Sequence, residues 1–267
     1  MLSELFQTNC PVIGVVHLLP LPTSPRWGGN LARVMARAEQ EAAALAAGGV
    51  DGIIVENFFD APFCKGSVDP AVVSAMTLIV NRLTSLVAIP IGLNVLRNDG
   101  RSACAIAACT GAQFLRVNIL SGVMATDQGL VEGQARELLS YRRLVGSDVK
   151  IFADVLVKHA QPIGVPSLVV TVEETIGRGL ADAVIFSGRA TGYAPSLPDL
   201  ELAKKAAQAT PLLIGSGADL DNVEKLLSIA DGVIVASSLK RHGKITEPVD
   251  PIRVAQFVET VRSHPVR

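Results

Sequence analysis

The chain repeats one alternation: a short apolar run, a loop, an amphipathic segment, then the next apolar run. Eight runs occur, at 12–18, 52–56, 90–95, 114–119, 149–155, 183–187, 211–215 and 232–237. Most are apolar throughout rather than at every second position. A strand of that kind must be covered on both faces, which is the condition of a parallel sheet. The segments between the runs have helical period. Residues 30–47 begin on Asn30, whose side chain can cap a helix, and stop at Gly48-Gly49. Asp69-Pro70 and Asp250-Pro251 each set a capping carboxylate before a proline suited to a first turn. Behind them Val72, Met76, Ile79, Val80 and Leu83 form one apolar stripe, and Val254, Phe257, Val258 and Val261 another. Strand alternating with helix predicts an α/β fold around a parallel sheet. Eight repeats in 267 residues predict a (β/α)8 barrel, a TIM barrel. With no linker and no low-complexity tract, the expectation is one domain over 1–267.

Composition narrows the function classes. Hydrophobic residues make up 49 % of the chain but aromatics only 4 %, so the core must be aliphatic. A formal net charge of −1 gives no support to a nucleic-acid partner. Cys10, Cys64, Cys104 and Cys109 have neither CxxC nor paired spacing, which points to a reducing compartment rather than disulfides or zinc. Glu4 stands where a signal peptide carries basic charge, and nowhere do 18 apolar residues run together. The expectation is a protein without signal peptide or transmembrane segment. A peripheral association with a membrane stays open, and a homo-oligomer is the expectation for so apolar a barrel.

In a βα barrel, functional groups collect at the carboxyl ends of the strands. Three long connections fall there, at 19–29, 57–68 and 156–168. They carry Trp27, Phe58, Phe59 and Phe63, about a third of the chain's aromatics, for packing over the barrel mouth, ligand contact or partner docking. Side chains alternate along a strand, so one parity faces the barrel axis. On that parity His17, Glu56, Asn94, Arg116, Asn118 and Asp154 would meet at one mouth. Such a cluster must be mutually satisfied or must hold a ligand. Glu56 and Asp154 could divide acid and base roles, and with His17 and the Asn carbonyls could take a divalent cation. No metal-site spacing stands behind the cation, so no metal ligand is assigned and the cofactor is left unknown. Lys158 and Lys240 lie beyond their strands, as phosphate contacts or surface charge. No strand interior carries a lysine for Schiff-base chemistry.

The last two strands end in Gly215-Ser216-Gly217 and in Ser237-Ser238. Loops at those places commonly form a phosphate site, with glycine allowing close approach and a following helix start completing the cradle. The anion pocket is therefore expected at Gly215, Ser216, Gly217, Ser237 and Ser238. Valine at 217 would then crowd the anion with little loss of fold.

The strings VIGVVHLLPLPTSPRWGGN, DGIIVENFFDAPF, IGLNVLRND, FLRVN, FADVLVKHA, IGSGADLDN and DGVIVASSLKRHG together resemble the BtpA/SgcQ family over nearly the whole chain. GVMATDQGLVEGQARELLSYRR and EPVDPIRVAQFVE resemble its cyanobacterial members most closely. The resemblance implies a barrel related to phosphate-binding βα barrels. It also implies a role in biogenesis or stable accumulation of photosystem I, whose complex or assembly components would be the partner. The place implied is the cytoplasmic face of the thylakoid membrane, held peripherally. The anion turns and the strand-end cluster support the alternative of a soluble enzyme on a phosphorylated small molecule, of aldolase, isomerase or lyase type. The resemblance to the SgcQ group, associated with sugar metabolism, implies that some relatives are enzymes. No reaction or catalytic residue comes with the resemblance. The family's shared polar motifs fall on His17, Glu56, Asn57, Asn94, Arg116, Asn118, Asp154, Lys158 and His159.

Overall fold

A computed structural model describes residues 1–164, 167–188 and 193–263; Val165 and Pro166 of the third long connection lie outside the described residues. The first four apolar runs are β1 (Val12–His17), β2 (Gly52–Glu56), β3 (Ile91–Asn94) and β4 (Phe114–Val117). A hairpin follows, β5 (Val123–Thr126) and β6 (Gly129–Glu132). The chain continues through β7 (Lys150–Val155), β8 (Ala160–Pro162), β9 (Ala183–Phe186), β10 (Leu212–Ile214) and β11 (Gly232–Val235). Eight of these close in the order β1-β2-β3-β4-β7-β9-β10-β11 and back to β1, every pair parallel. The fold is the expected (β/α)8 barrel.

Nine helices, α1 (Leu2–Phe6), α2 (Leu31–Ala47), α3 (Pro70–Leu86), α4 (Gly100–Thr110), α5 (Ala135–Leu144), α6 (Leu168–Gly177), α7 (Leu197–Ala207), α8 (Val223–Leu227) and α9 (Pro251–Ser263), lie among the described residues. Local chemistry sets the boundaries that the sequence signals. Asn30 Oδ1 accepts from the Arg33 amide, and Asp69 Oδ1 accepts from the Ala71 amide ahead of Pro70. The stripes expected on α3 and α9 are both buried in the main hydrophobic core.

Inside the barrel the same parity, earlier along each strand than the polar residues, packs. Ile13, Val15, Ile54, Phe114, Phe152, Ile185, Leu213 and Ile234 fill its amino-terminal half, and α1 plugs that end with Leu2 and Phe6. The Phe114 and Phe152 rings stack at 5.0 Å, with Phe6 edge-on to Phe114 at 5.4 Å. Gly92 faces the Phe114 ring so closely that any Cβ there would overlap it. This filling confines usable space to the carboxyl end. The small antiparallel sheet β6-β5-β8 is the element that strand-helix alternation does not announce. Its hairpin turns at Gly129 with φ +91°, and Thr126 Oγ1 donates to the Gly129 carbonyl.

Candidate functional site

Every residue expected on the inward parity is buried at the carboxyl end: His17, Glu56, Asn94, Arg116, Asn118 and Asp154. Arg116 is the centre. Its Nε and Nη2 donate to the two oxygens of Asp154, each at 2.9 Å, and its Nη1 donates to Glu56 Oε1 at 3.3 Å. Asn94 Nδ2 donates to Glu56 Oε1 at 3.1 Å, and Asn118 Nδ2 to Asp154 Oδ2 at 2.8 Å. Burial opposes the guanidinium charge, but Asp154 and Glu56 outweigh it and hold the group firmly protonated. This bridge uses three of the four carboxylate oxygens that a divalent cation would need and leaves Glu56 Oε2. Among the described residues no group of three or more His, Cys, Asp or Glu is placed to hold a metal ion.

His17 sits beside this network without joining it. Its Nε2 is 3.7 Å from Glu56 Oε2, close enough for an ion pair were the ring charged. Burial drives its pKa well below the usual value, and Lys240, Lys158 and Arg116 push the same way. Burial decides the matter because Glu56 already serves Arg116, so the ring is neutral at neutral pH. Phe58 covers it at 4.5 Å between centroids. His17 Nδ1 and Asn118 Oδ1 are both buried without a hydrogen-bond partner. A buried polar atom left unpaired costs about 1–3 kcal/mol, which a ligand would recover.

Above the network lies a cavity of about 370 Å³, lined by His17, Glu56, Asn94, Arg116 and Asn118 and by both expected anion turns, with Asp154 beneath the lining. Ser238 Oγ donates to the Ala218 carbonyl at 2.8 Å and joins the two turns. The amides of Ser216, Gly217, Ser237 and Ser238 make no hydrogen bond to another described residue, and Ser216 Oγ is buried without a partner. Two details of the expected pocket are corrected. The start of α8 is not part of the cradle, because Asp219 Oδ1 already accepts from the Asp221 and Asn222 amides. Gly217, at φ +79°, presents its missing Cβ to the backbone of Tyr193 and Ala194 rather than to the cavity. A side chain there would displace that segment, so a valine would not be silent in the fold.

The two lysines part company. Lys240 is neither surface charge nor phosphate contact: it is fully buried, with Nζ 3.0 Å from both oxygens of Glu41 on α2. Glu41 is held in turn by Arg37 at 2.7 Å. A charged residue on the buried stripe of α2 was the legible signal for this pair. Lys158 lines the cavity. Burial lowers its pKa to about 8, with Arg116 and Arg97 adding and with Glu56 and Asp154 opposing. Of the loop aromatics, Phe58 and Phe63 line the cavity, and Trp27 packs on the core.

Arg97 and Arg253 also line the cavity, and the strand-end rule does not reach them. Arg97 follows Asn94 by three residues in the loop after β3, and Arg253 rides on the first turn of α9, where Nε donates to the Ser238 carbonyl at 2.8 Å. Asn57 ties these loops together: it donates to Asp60 Oδ2 and accepts from the Leu96 amide, and Asp60 Oδ1 accepts from the Leu21 amide. The arrangement offers a neutral imidazole, an ammonium of lowered pKa, paired carboxylates and an anion cradle in one enclosed space. It can bind a small anion and move protons beside it.

Comparison with known proteins agrees with this architecture. The N-(5'-phosphoribosyl)anthranilate isomerase of Pyrococcus furiosus superposes with a TM-score of 0.59 at 15 % identity, over 95 % of this chain and 99 % of that one. The orotidine 5'-phosphate decarboxylase of Pyrococcus horikoshii does so with a TM-score of 0.55 at 14 % identity, over 94 % and 99 %. Those likenesses show the fold. In sequence, the Synechocystis protein named photosystem I biogenesis protein BtpA is 69 % identical over 97 % of this chain and 91 % of its own. The Escherichia coli protein named putative sgc region protein SgcQ is 32 % identical over 97 % of each. Residues 8–263 match the BtpA family throughout, from ahead of the first strand to the end of the last helix, and this chain belongs to that family.

Proposed function

We propose that this protein serves the biogenesis or stable accumulation of photosystem I from a peripheral position on the cytoplasmic face of the thylakoid membrane. Photosystem I or its assembly components would be the partner. The observation that carries this reading is the 69 % identity with the Synechocystis protein of that name. Peripheral attachment is compatible with the described residues, where no helix is long and apolar enough to cross a membrane. Deleting the gene in its host is expected to lower photosystem I per cell severalfold, read from reaction-centre absorbance across several light levels and temperatures. An unchanged photosystem I level in every condition retires the reading.

A second reading is favoured by the cavity, and the two are compatible. The barrel binds a phosphorylated small molecule seated at 215–217 and 237–238, with His17, Lys158 and the Arg116 network beside it. Lys158 gives this reading a pH signature. Its protonated form favours an anion, so affinity for a phosphate ester should hold steady from neutral pH to about 8 and weaken above that, by up to tenfold per pH unit. Folding is linked in the opposite sense. The unfolded chain keeps this proton to higher pH, so stability should rise from about pH 8 toward the ordinary lysine range, by at most roughly 1.4 kcal/mol per unit. Both trends should vanish in Lys158→Met, measured by calorimetric titration and by urea unfolding.

A further inference from the structure

We propose that the ligand of this cavity carries a second anionic group, a carboxylate, held by Arg97 and Lys158 across the barrel mouth from the phosphate. The proposal rests on the phosphate reading above and names its substrate class: a small phosphorylated carboxylic acid. Three observations carry it. The first is the charge left over. Arg116 is matched by Asp154 and Glu56, and Lys240 by Glu41, but Arg97 and Lys158 make no ion pair among the described residues. Arg97 is only 6 % exposed, and its Nε is buried with no partner. Its Nη2 donates to the Lys158 carbonyl at 2.9 Å, which brings the lysine's backbone to it. A guanidinium that served only to hold that loop would need one N–H; leaving the charge and Nε unmatched in a buried place is costly unless an anion arrives.

The second observation is position. Around the closed barrel the order β1-β2-β3-β4-β7-β9-β10-β11 sets β3 directly opposite β10, and β4 opposite β11. Arg97 follows β3 and Lys158 follows β7, whereas the anion turns follow β10 and β11. Arg97 therefore stands directly across from the 215–217 turn, and Lys158 flanks it two strands further round, in a cavity of about 370 Å³ that both poles line. The third is the kind of donor. The phosphate pole is built from several backbone amides and serine hydroxyls, suited to a tetrahedral anion. The other pole offers one guanidinium edge and one ammonium, suited to the two oxygens of a carboxylate. His17 and the buried network of Glu56, Arg116 and Asp154 beside it then form the floor beneath the carbons between the two groups.

The test is calorimetric titration of the full chain with phosphoglycolate, phosphoglycerate and phosphoerythronate, each against the phosphoalcohol of the same length that lacks the carboxylate. At least one acid is expected to bind about tenfold or more tightly than its alcohol. Arg97→Met should erase that preference by weakening the acid far more than the alcohol, and Lys158→Met should reduce it, a readout that a merely structural role would not move. If Arg97→Met fails to fold, Lys158→Met and Arg97→Lys carry the comparison. Equal binding of every acid and its alcohol overturns the second anion site alone. So does a preference that survives both variants, or a loss in Arg97→Met that falls equally on acids and alcohols. No binding of any phosphate ester by the wild type overturns the phosphate reading and this proposal with it.

Discussion

Replacing Arg116 with methionine is expected to lower the unfolding free energy by about 3–5 kcal/mol, the cost of leaving a buried ion pair with one partner removed. The effect is large because this guanidinium has two carboxylates to answer for, Asp154 through two bonds of 2.9 Å and Glu56 through one of 3.3 Å. Asn94 and Asn118 would remain bonded to the carboxylates, but amides cannot neutralise charge. Protonation would relieve the unpaired carboxylates, so the variant should gain stability as pH falls. Urea unfolding at several pH values checks both the size and that slope. The triple variant Arg116→Met, Glu56→Gln, Asp154→Asn should recover most of the loss. Glu56→Gln alone should cost only about 1–2 kcal/mol, since Asp154 still pairs Arg116 and the glutamine carbonyl can still accept from Asn94. A triple variant no better than Arg116→Met would show that shape, not charge, holds this network together.

Gly217→Val is expected to weaken phosphate-ester binding roughly 100-fold, because amides moved by about an ångström no longer point at one anion. It should also cost about 1–3 kcal/mol of stability through a side chain held at φ +79°. The physical cause lies beside the cavity rather than in it: the new Cβ overlaps the backbone of Tyr193 and Ala194, so the turn and its neighbour must separate. Gly111→Ala is the internal control. Gly111 ends α4 at φ +76° with open space where its Cβ would stand. That variant should show the strain without any change in affinity, by thermal melting and calorimetric titration together. Unchanged phosphate-ester affinity in Gly217→Val would remove the 215–217 turn from the site.

The strand-end cluster was legible because strand parity is a local property. Once a run is a strand, every second residue faces the axis, and His17, Glu56, Asn94, Arg116, Asn118 and Asp154 follow from counting alone. The helix starts at Asn30 and Asp69 were legible for the same reason, since a capping side chain reaches amides only two or three residues away. Glycine at 215 and 217 marked a turn, although not the direction in which its space was needed.

What the sequence could not yield depends on distance through space. No spacing pairs Lys240 with Glu41, which stand 199 residues apart in the chain, and only the packing of α2 beside the last turn buries the two together. Arg97 and Arg253 reach the cavity from a loop and from a helix, where no periodicity says which way a side chain will lie. The state of His17 is a balance between burial and charges brought by other strands, and Asp219 closes α8 where a free helix start was expected. The order of apolar runs by itself determined the barrel and the ring of polar residues at its mouth. Tertiary structure decided which of those charges cancel and which stand uncompensated, because cancellation depends on separations of three to four ångströms between residues that the chain keeps far apart.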